Sequence, residues 1–232
     1  MTYRTIRPDA RLTAVAAQVR EGITLYDVGT DHAYLPVYLM EQGRVSHAVA
    51  SDVAEGPLAS AMETVVAAGL TDRIETVLSD GFRNVTLVPP CDVTIAGMGG
   101  DLMARILSDE PAVKDGDVRL ILQPMTKQEH LRRYLADNGF SIDTELVAEA
   151  GKLYEILVCH YTGEPYALSD EELLIGRRGA RREDAVFYRL VEKKRQALCR
   201  TAEGKRRGGE TDPPEEAIAE AFQHILTQEN EV

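Results

Sequence analysis

The stretch Leu25-Tyr26-Asp27-Val28-Gly29-Thr30-Asp31-His32-Ala33-Tyr34 decides the fold. An apolar run stops at a compact glycine turn and a helical pattern follows, the order expected where a strand feeds a helix across a ligand site. A second apolar run, Val45 to Ser51, ends at Asp52, about 20 residues after the turn, where a carboxylate is placed to accept hydrogen bonds from ribose hydroxyls. A strand–helix turn with no ligand would share the first signal, but it would not need the second.

The turn departs from the dinucleotide fingerprint. Only Gly29 is a glycine, and Asp31 and Ala33 occupy the later small-residue positions. A carboxylate at the mouth of such a turn repels a pyrophosphate. S-adenosylmethionine suits it better, because that cofactor has no phosphate and its sulfonium and ammonium groups are attracted by Asp27 and Asp31.

Composition is that of a globular protein able to bury a sizeable core: 232 residues, 44% of them apolar. The length suggests a catalytic domain with an appendage. No apolar run approaches the roughly 20 residues that span a bilayer, and the first residues show no signal-peptide pattern, so a cytoplasmic protein with no membrane partner is expected. Cys91, Cys159 and Cys199 are scattered singly without metal-ligand spacing, which predicts neither disulfide nor metal.

Elements alternate in the βα order of a parallel sheet covered on both faces. A first helix carries Leu12, Val15, Ala16 and Val19 and ends near Gly22. The strands are expected at Thr24–Val28, His47–Ser51, Ile74–Leu78, Val93–Ala96 and Val118–Leu122. Helices are expected near Tyr34–Glu41, Pro57–Ala68, after Gly99-Gly100, and over about Lys127–Asn138. Two strands, Ile142–Glu149 and Tyr154–Tyr161, then follow with no helix between them, and such a pair is antiparallel. Past Gly163-Glu164-Pro165 the pattern predicts one or two long amphipathic helices over Glu171 to about Arg200, a loop from Gly204 to Pro214 and a helix over Glu215–Glu229. Residues 1–164 are therefore expected to be the catalytic domain and 165–232 a helical hairpin.

The formal net charge of −12 argues against a nucleic-acid partner, but its distribution partly answers the objection. From Arg177 to Arg207 there are twelve basic residues against four acidic ones. A basic segment on an acidic protein is the footprint of a phosphate-backbone contact, although a solvated helix face has the same composition. Arg4, Arg7 and Arg11 are candidates for the same surface.

A second hot spot is Ile95-Ala96-Gly97-Met98-Gly99-Gly100, at the carboxyl end of the fourth strand beside the predicted switch point. Its glycines allow close backbone approach to a planar group. Ser79-Asp80-Gly81, ending the third strand, is placed to accept a hydrogen bond from an adenine amine, and reads equally well as an Asp-Gly turn.

Together, Asp27-Val-Gly-Thr-Asp-His-Ala-Tyr-Leu-Pro36, Glu55-Gly-Pro57, Asp80-Gly81, Ile95-Ala-Gly-Met-Gly-Gly100, Leu120-Ile-Leu-Gln-Pro-Met125 and Lys152-Leu-Tyr-Glu-Ile156 resemble the bacterial TrmK family. These are S-adenosylmethionine-dependent enzymes that methylate N1 of the adenine at position 22 of tRNA. The resemblance implies an α/β, class I methyltransferase (Rossmann-like) sheet of seven strands with the last antiparallel, plus a C-terminal coiled-coil-like helical hairpin. It implies that Gly29, Asp31 and His32 line the methionine end of the cofactor, with Asp27 beside them, Asp52 its ribose, and Asp80 and Gly81 its adenine. Ala96, Gly97 and Met98 would sit beside the sulfonium and the incoming base, with Asp31, Met98 and Gly99 as the catalytic set. Arg4, Arg7, Arg178, Arg182, Lys193 and Lys194 are the expected tRNA contacts, and a monomer or weak dimer is the expected assembly. The chemistry expected is direct transfer to a neutral ring nitrogen, without a covalent enzyme intermediate. A methyltransferase acting on a small molecule would use the same cofactor residues without a basic hairpin. A non-catalytic RNA-binding module would not need the acidic set Asp27, Asp31, Asp52 and Asp80.

Overall fold

Runs rich in Val, Ile and Leu, punctuated by glycines, build one seven-stranded sheet in a computed structural model that describes residues 6–229. The strands are β1 (Ile23–Val28), β2 (Val45–Asp52), β3 (Ile74–Leu78), β4 (Cys91–Gly99), β5 (Val118–Thr126), β6 (Phe140–Glu149) and β7 (Leu153–Tyr161), in the order β3-β2-β1-β4-β5-β7-β6. β7 is antiparallel to both neighbours, and the pairs from β3 across to β5 are parallel. The chain leaves β1 toward β2 on one side and returns as β4 on the other. That reversal opens a crevice at the carboxyl ends of β1 and β4, where ligands bind in open α/β sheets.

Helices α1 (Ala10–Ala16), α2 (Tyr34–Glu41), α3 (Glu55–Ala68), α4 (Gly100–Ser108) and α5 (Gln128–Asp137) cover the sheet. Strand side chains alternate between two cores, as the two-residue period requires. Tyr26, Val28, Val93 and Ile95 pack with Met103, Leu107, Leu131 and Leu135. Leu25, Ala48, Ala50 and Ile121 pack with Val15, Leu35, Val37, Leu39 and Val65. A fully buried Leu, Ile or Val contributes roughly 1.5–3 kcal/mol, so these two layers hold the sheet that aims the crevice.

Beyond β7, of the one or two long helices expected over Glu171 to about Arg200, two form, and the first is short. A short α6 (Asp170–Ile175), closed at its start by a Ser169–Glu172 capping box, is separated from α7 (Ala185–Arg207) by a loop. Gly176 and Gly179 have φ of 97° and 84°, which ends the helix, and the freed backbone pairs with the edge strand β6. Glu145 N donates to Ala180 O at 2.9 Å and Arg182 N to Glu145 O at 2.7 Å, covering an otherwise open sheet edge. Helix α7 also runs through Gly204, where a loop was expected. Its last turn carries Lys205, Arg206 and Arg207, which complement the helix dipole, and Lys205 and Arg206 pair with Glu215 and Glu216 of α8 (Pro214–Glu229).

Ile175, Phe187, Val191 and Phe222 form a third core between this hairpin and Val147 of β6. Beneath it lies a buried ionic cluster. Arg132, 1% exposed, donates through Nε to Glu145 Oε2 and through Nη2 to Glu155 Oε2, both at 2.7 Å, and through Nη1 to the Leu173 carbonyl at 3.1 Å. Lys194 of α7 donates to Glu155 Oε1 at 2.6 Å and to the Leu174 carbonyl. The C-terminal helices are thus tied to the sheet by charge as well as by apolar contact.

Candidate active site

The turn after β1 is held by its own sequence. Gly29, at φ 76°, and Thr30 donate their amides to the Ser51 carbonyl at 2.8 and 2.9 Å, and the Asp31 amide donates to Asp52 Oδ2 at 3.3 Å. The amides that would cradle a pyrophosphate in a dinucleotide site are therefore already engaged with the end of β2. Asp31 and Ala33 both lie in the left-handed region, at φ 56° and 55°, a conformation that costs a non-glycine residue roughly 1–2 kcal/mol and is maintained here by the surrounding structure. Between them His32 stacks on Tyr34 with ring centroids 5.0 Å apart, and His32 Nε2 lies 3.7 Å from Asp31 Oδ1.

Asp27 does its work beneath the turn. It is 5% exposed, and its two carboxylate oxygens accept from Thr30 Oγ1 and Thr94 Oγ1, each at 2.6 Å. Burial pushes its carboxyl up from the usual range, against the opposing effect of the two hydroxyls. Asp52, at the end of β2, accepts from the Ala54 amide at 2.9 Å as well as from Asp31. Each carboxylate oxygen has a further lone pair for a ribose hydroxyl.

These groups line a cleft of about 810 Å³, together with Tyr34, Ala96, Gly97, Met98 and the N-terminal segment Ile6–Leu12. The size falls within the 300–1,000 Å³ range usual for small-molecule sites. The donor set fits S-adenosylmethionine: carboxylates for the ammonium and the ribose, and no free amide nest for phosphate.

Met98 lies over Gly29 so closely that a Cβ there would overlap Met98 Cε. The other glycines of that loop divide their tasks. Gly97, at φ 84°, faces the cleft with Arg11 as its neighbour. The hydrogen of Gly99 that a side chain would replace faces Thr126 Oγ1, and a Cβ on Gly100 would overlap the Lys127 carbonyl and stand 3.2 Å from Leu131 Cβ. Gly100 thus allows α4 to meet the start of α5, a packing role that the glycine-rich spacing alone does not distinguish from ligand approach.

Asp80 and Gly81 lie outside this cleft, in a separate one of about 240 Å³ with Phe82, Arg105 and Ile106. The Asp80 carboxylate is 3.3 Å from Arg83 and 3.7 Å from Arg105. Sequence reasoning put Arg7 and Arg11 with the basic surface and missed that Ile6–Leu12 walls the cleft, where Arg11 meets Gln123 and Tyr154 through contacts that span more than a hundred residues of chain.

The basic segment is less open than its composition suggests. Arg181, Arg182, Arg189, Arg195, Arg206 and Arg207 each pair with a carboxylate, as do Lys194 and Lys205. Lys194 points into the cluster at Glu155, so its charge is committed to holding the hairpin. Among the described residues, Arg178, Lys193 and Arg200 are exposed and carry no ion pair. Arg7 is exposed at the cleft, and Arg182, though paired with Asp184 at 3.2 Å, keeps an exposed side chain that a phosphate can recruit. Arg4 lies outside the described residues. Among the described residues no group of three or more His, Cys, Asp or Glu is placed to hold a metal ion.

A seven-stranded sheet of this order, with an acidic cleft at its switch point and its turn amides closed to phosphate, defines a Rossmann-like S-adenosylmethionine-dependent methyltransferase. Residues 25–212 match the model of the family TrmK, tRNA (adenine(22)-N(1))-methyltransferase. The chain is 36% identical over 185 residues to the tRNA (adenine(22)-N(1))-methyltransferase of Bacillus subtilis, covering 77% of each protein. The crystal structure of the B. subtilis M1A22 tRNA methyltransferase TrmK superposes with a TM-score of 0.77 at 28% identity, over 96% of this chain and 97% of that one. A Streptococcus pneumoniae relative solved with S-adenosyl-L-methionine superposes at 0.78 with 36% identity, over 93% and 98%. The chain belongs to the TrmK family of tRNA (adenine(22)-N(1))-methyltransferases.

Proposed function

We propose that the protein transfers a methyl group from S-adenosylmethionine to N1 of adenine 22 in tRNA, in the cytoplasm, as a monomer or weak dimer. The observation that carries this reading is the cleft itself, acidic at Asp31 and Asp52, open at Gly97, and attached to a helical hairpin with exposed cations. Among the described residues no helix is long and apolar enough to cross a membrane.

Bound S-adenosylmethionine supplies an electrophilic methyl group, and no metal is needed for that chemistry. What the chain supplies is position. Asp27 and its two threonines fix the turn, Asp52 is the ribose acceptor, and Ala96, Gly97 and Met98 flank the reacting end. Holding two competent reactants in line accounts for most of the acceleration such a transfer requires. Methylation leaves positive charge on the adenine ring, and the exposed Asp31 carboxylate is the group placed to stabilise it or to take a proton from the exocyclic amine. His32 and Tyr34, stacked at the mouth, offer a surface for a base leaving its helical stack. Extruding that base costs a few kcal/mol, which contacts to the tRNA backbone from Arg7, Arg178, Arg182 and Lys193 offset. The acceptor class is tested by release of S-adenosylhomocysteine with and without unmodified tRNA. Release that requires tRNA is expected, and release with a small-molecule acceptor alone would replace this reading with the smaller substrate.

A further inference from the structure

Gln123 has no exposed surface, yet it is a polar side chain at the carboxyl end of β5. Its register partner on β4 is Ala96, so it stands beside Gly97 and Met98. Gln123 Nε2 donates to the Pro124 carbonyl at 3.1 Å, and Oε1 accepts from Arg11 Nη1 at 2.9 Å. The Arg11 guanidinium lies 5.7 Å from the centre of the Tyr154 ring, and Nη1 is 3.9 Å from the point a Cβ on Gly97 would occupy. The Arg11 side chain is 21% exposed and lines the cleft. An aromatic face, a buried amide and the Asp9 carboxylate, 3.9 Å from Nε, hold this guanidinium at the cleft with little rotamer entropy left to lose.

Charge decides what such a group is for. A cation here attracts neither the sulfonium nor the positively charged ring that methylation produces. Its partner is an anion: Asp9 Oδ2 already lies 3.9 Å from Nε, an exposed and long contact that a stronger anion displaces at little cost, and two such anions arrive at this cleft, the α-carboxylate of the cofactor and a phosphate of the target nucleotide. The cofactor acceptors sit on β1 and β2, whereas Arg11 is anchored on β5, across β4 from them. We propose that Arg11 receives a backbone phosphate of the nucleotide being methylated, with Gln123 as the positioning residue that aims it. The inference rests on the tRNA reading given above.

The test uses the full-length protein and unmodified tRNA transcript, with S-adenosylmethionine as methyl donor for turnover and S-adenosylhomocysteine for cofactor affinity, and the variants Arg11→Ala, Arg11→Lys and Gln123→Ala. For Arg11→Ala the expected result is a KM for tRNA raised about tenfold or more, S-adenosylhomocysteine affinity within about twofold of wild type, and a salt dependence of kcat/KM shallower by about one. Arg11→Lys keeps the salt slope and recovers part of the loss, because charge remains while the planar fork is gone. Gln123→Ala raises KM with the salt slope unchanged. Should Arg11→Ala fail to fold, Arg11→Met keeps the stem over Tyr154 and reads the same quantities. A tenfold loss of S-adenosylhomocysteine affinity with KM for tRNA unchanged at saturating cofactor would assign Arg11 to the cofactor carboxylate and overturn the proposal. Wild-type constants in Arg11→Ala would overturn it equally. Failure of the wild-type protein to methylate the transcript is instead the failure of the tRNA reading, and it is seen before any variant is made.

Discussion

Replacing Arg132 by methionine isolates what the buried cluster contributes. The substitution keeps an unbranched apolar stem and removes a guanidinium that donates to Glu145, Glu155 and the Leu173 carbonyl. Glu145 retains the Arg177 amide at 2.6 Å and Glu155 retains Lys194, but both carboxylates remain 4% exposed. Removing one partner from a buried ionic group destabilises by about 3–5 kcal/mol, because the remaining charge stays buried and uncompensated. For a chain of this length each kcal/mol moves the melting midpoint roughly 2–4 °C, so the expected drop is about 6–20 °C.

The pH dependence has a defined sign. Burial pushes the Glu155 carboxyl up, but the charges of Lys194 and Arg132 outweigh it and hold the group below its ordinary value. A depressed carboxyl stabilises the fold above its unfolded value, near 4.3, and loses that contribution as the pH falls through the folded value. Without Arg132 the desolvation of Glu155 is no longer fully opposed, and protonating it relieves the variant. Urea denaturation at pH 7 and at about pH 4 should therefore show a large gap between wild type and variant that narrows in acid. A gap under about 1 kcal/mol at pH 7, or one equally wide at both pH values, would refute the reasoning.

Gly29→Ala is expected to lower S-adenosylhomocysteine affinity about tenfold, since it strains a left-handed φ in the turn and pushes the mobile Met98 methyl from its place beside it; calorimetric titration reads it, and wild-type affinity would mean that the turn does not hold the cofactor. Asp31→Asn should cut kcat about a hundredfold while cofactor affinity is kept, and an unchanged rate would remove this carboxylate from the chemistry. Replacing Arg178 and Lys193 together by alanine should weaken tRNA binding and make its salt dependence shallower by about two, with cofactor affinity intact. An unaltered slope would place the tRNA backbone on another surface.

The parts of the fold written in local sequence are legible from the sequence itself. The Gly29 turn, the glycine stops at Gly69 and Gly139, and the helixless pair β6–β7 all lie where periodicity and turn chemistry put them. The fourth and fifth strands ran longer than expected, to Gly99 and Thr126, because their last residues pair with each other rather than following an apolar pattern. Of the one or two helices expected over Glu171 to about Arg200, the structure has two, parted at Gly176 because the loop gains hydrogen bonds from β6, a partner about 30 residues upstream that no local window reveals.

The site divides in the same way. Asp27, Gly29, Asp31 and Asp52 come together through adjacent strands, and their spacing announced it. Arg11 and Gln123 are 112 residues apart, and neither has a local pattern that points to the other. Lys194 carries a local signal of its own. It follows Phe187, Leu190 and Val191 and precedes Leu198 at helical spacing, on the buried stripe of α7. A charge count sees a cation there, and only the face of the helix shows that it points inward.

The central claim is the methylation of one ring nitrogen at one position, and its most direct measurement is labelled-methyl transfer from S-adenosylmethionine to unmodified tRNA transcripts carrying adenine or guanine at position 22, followed by mapping of the modified nucleoside. The account predicts N1-methyladenine at position 22 of the adenine transcript and no label in the guanine one. Equal labelling of both transcripts, or no transfer by protein shown to bind the cofactor, would contradict it.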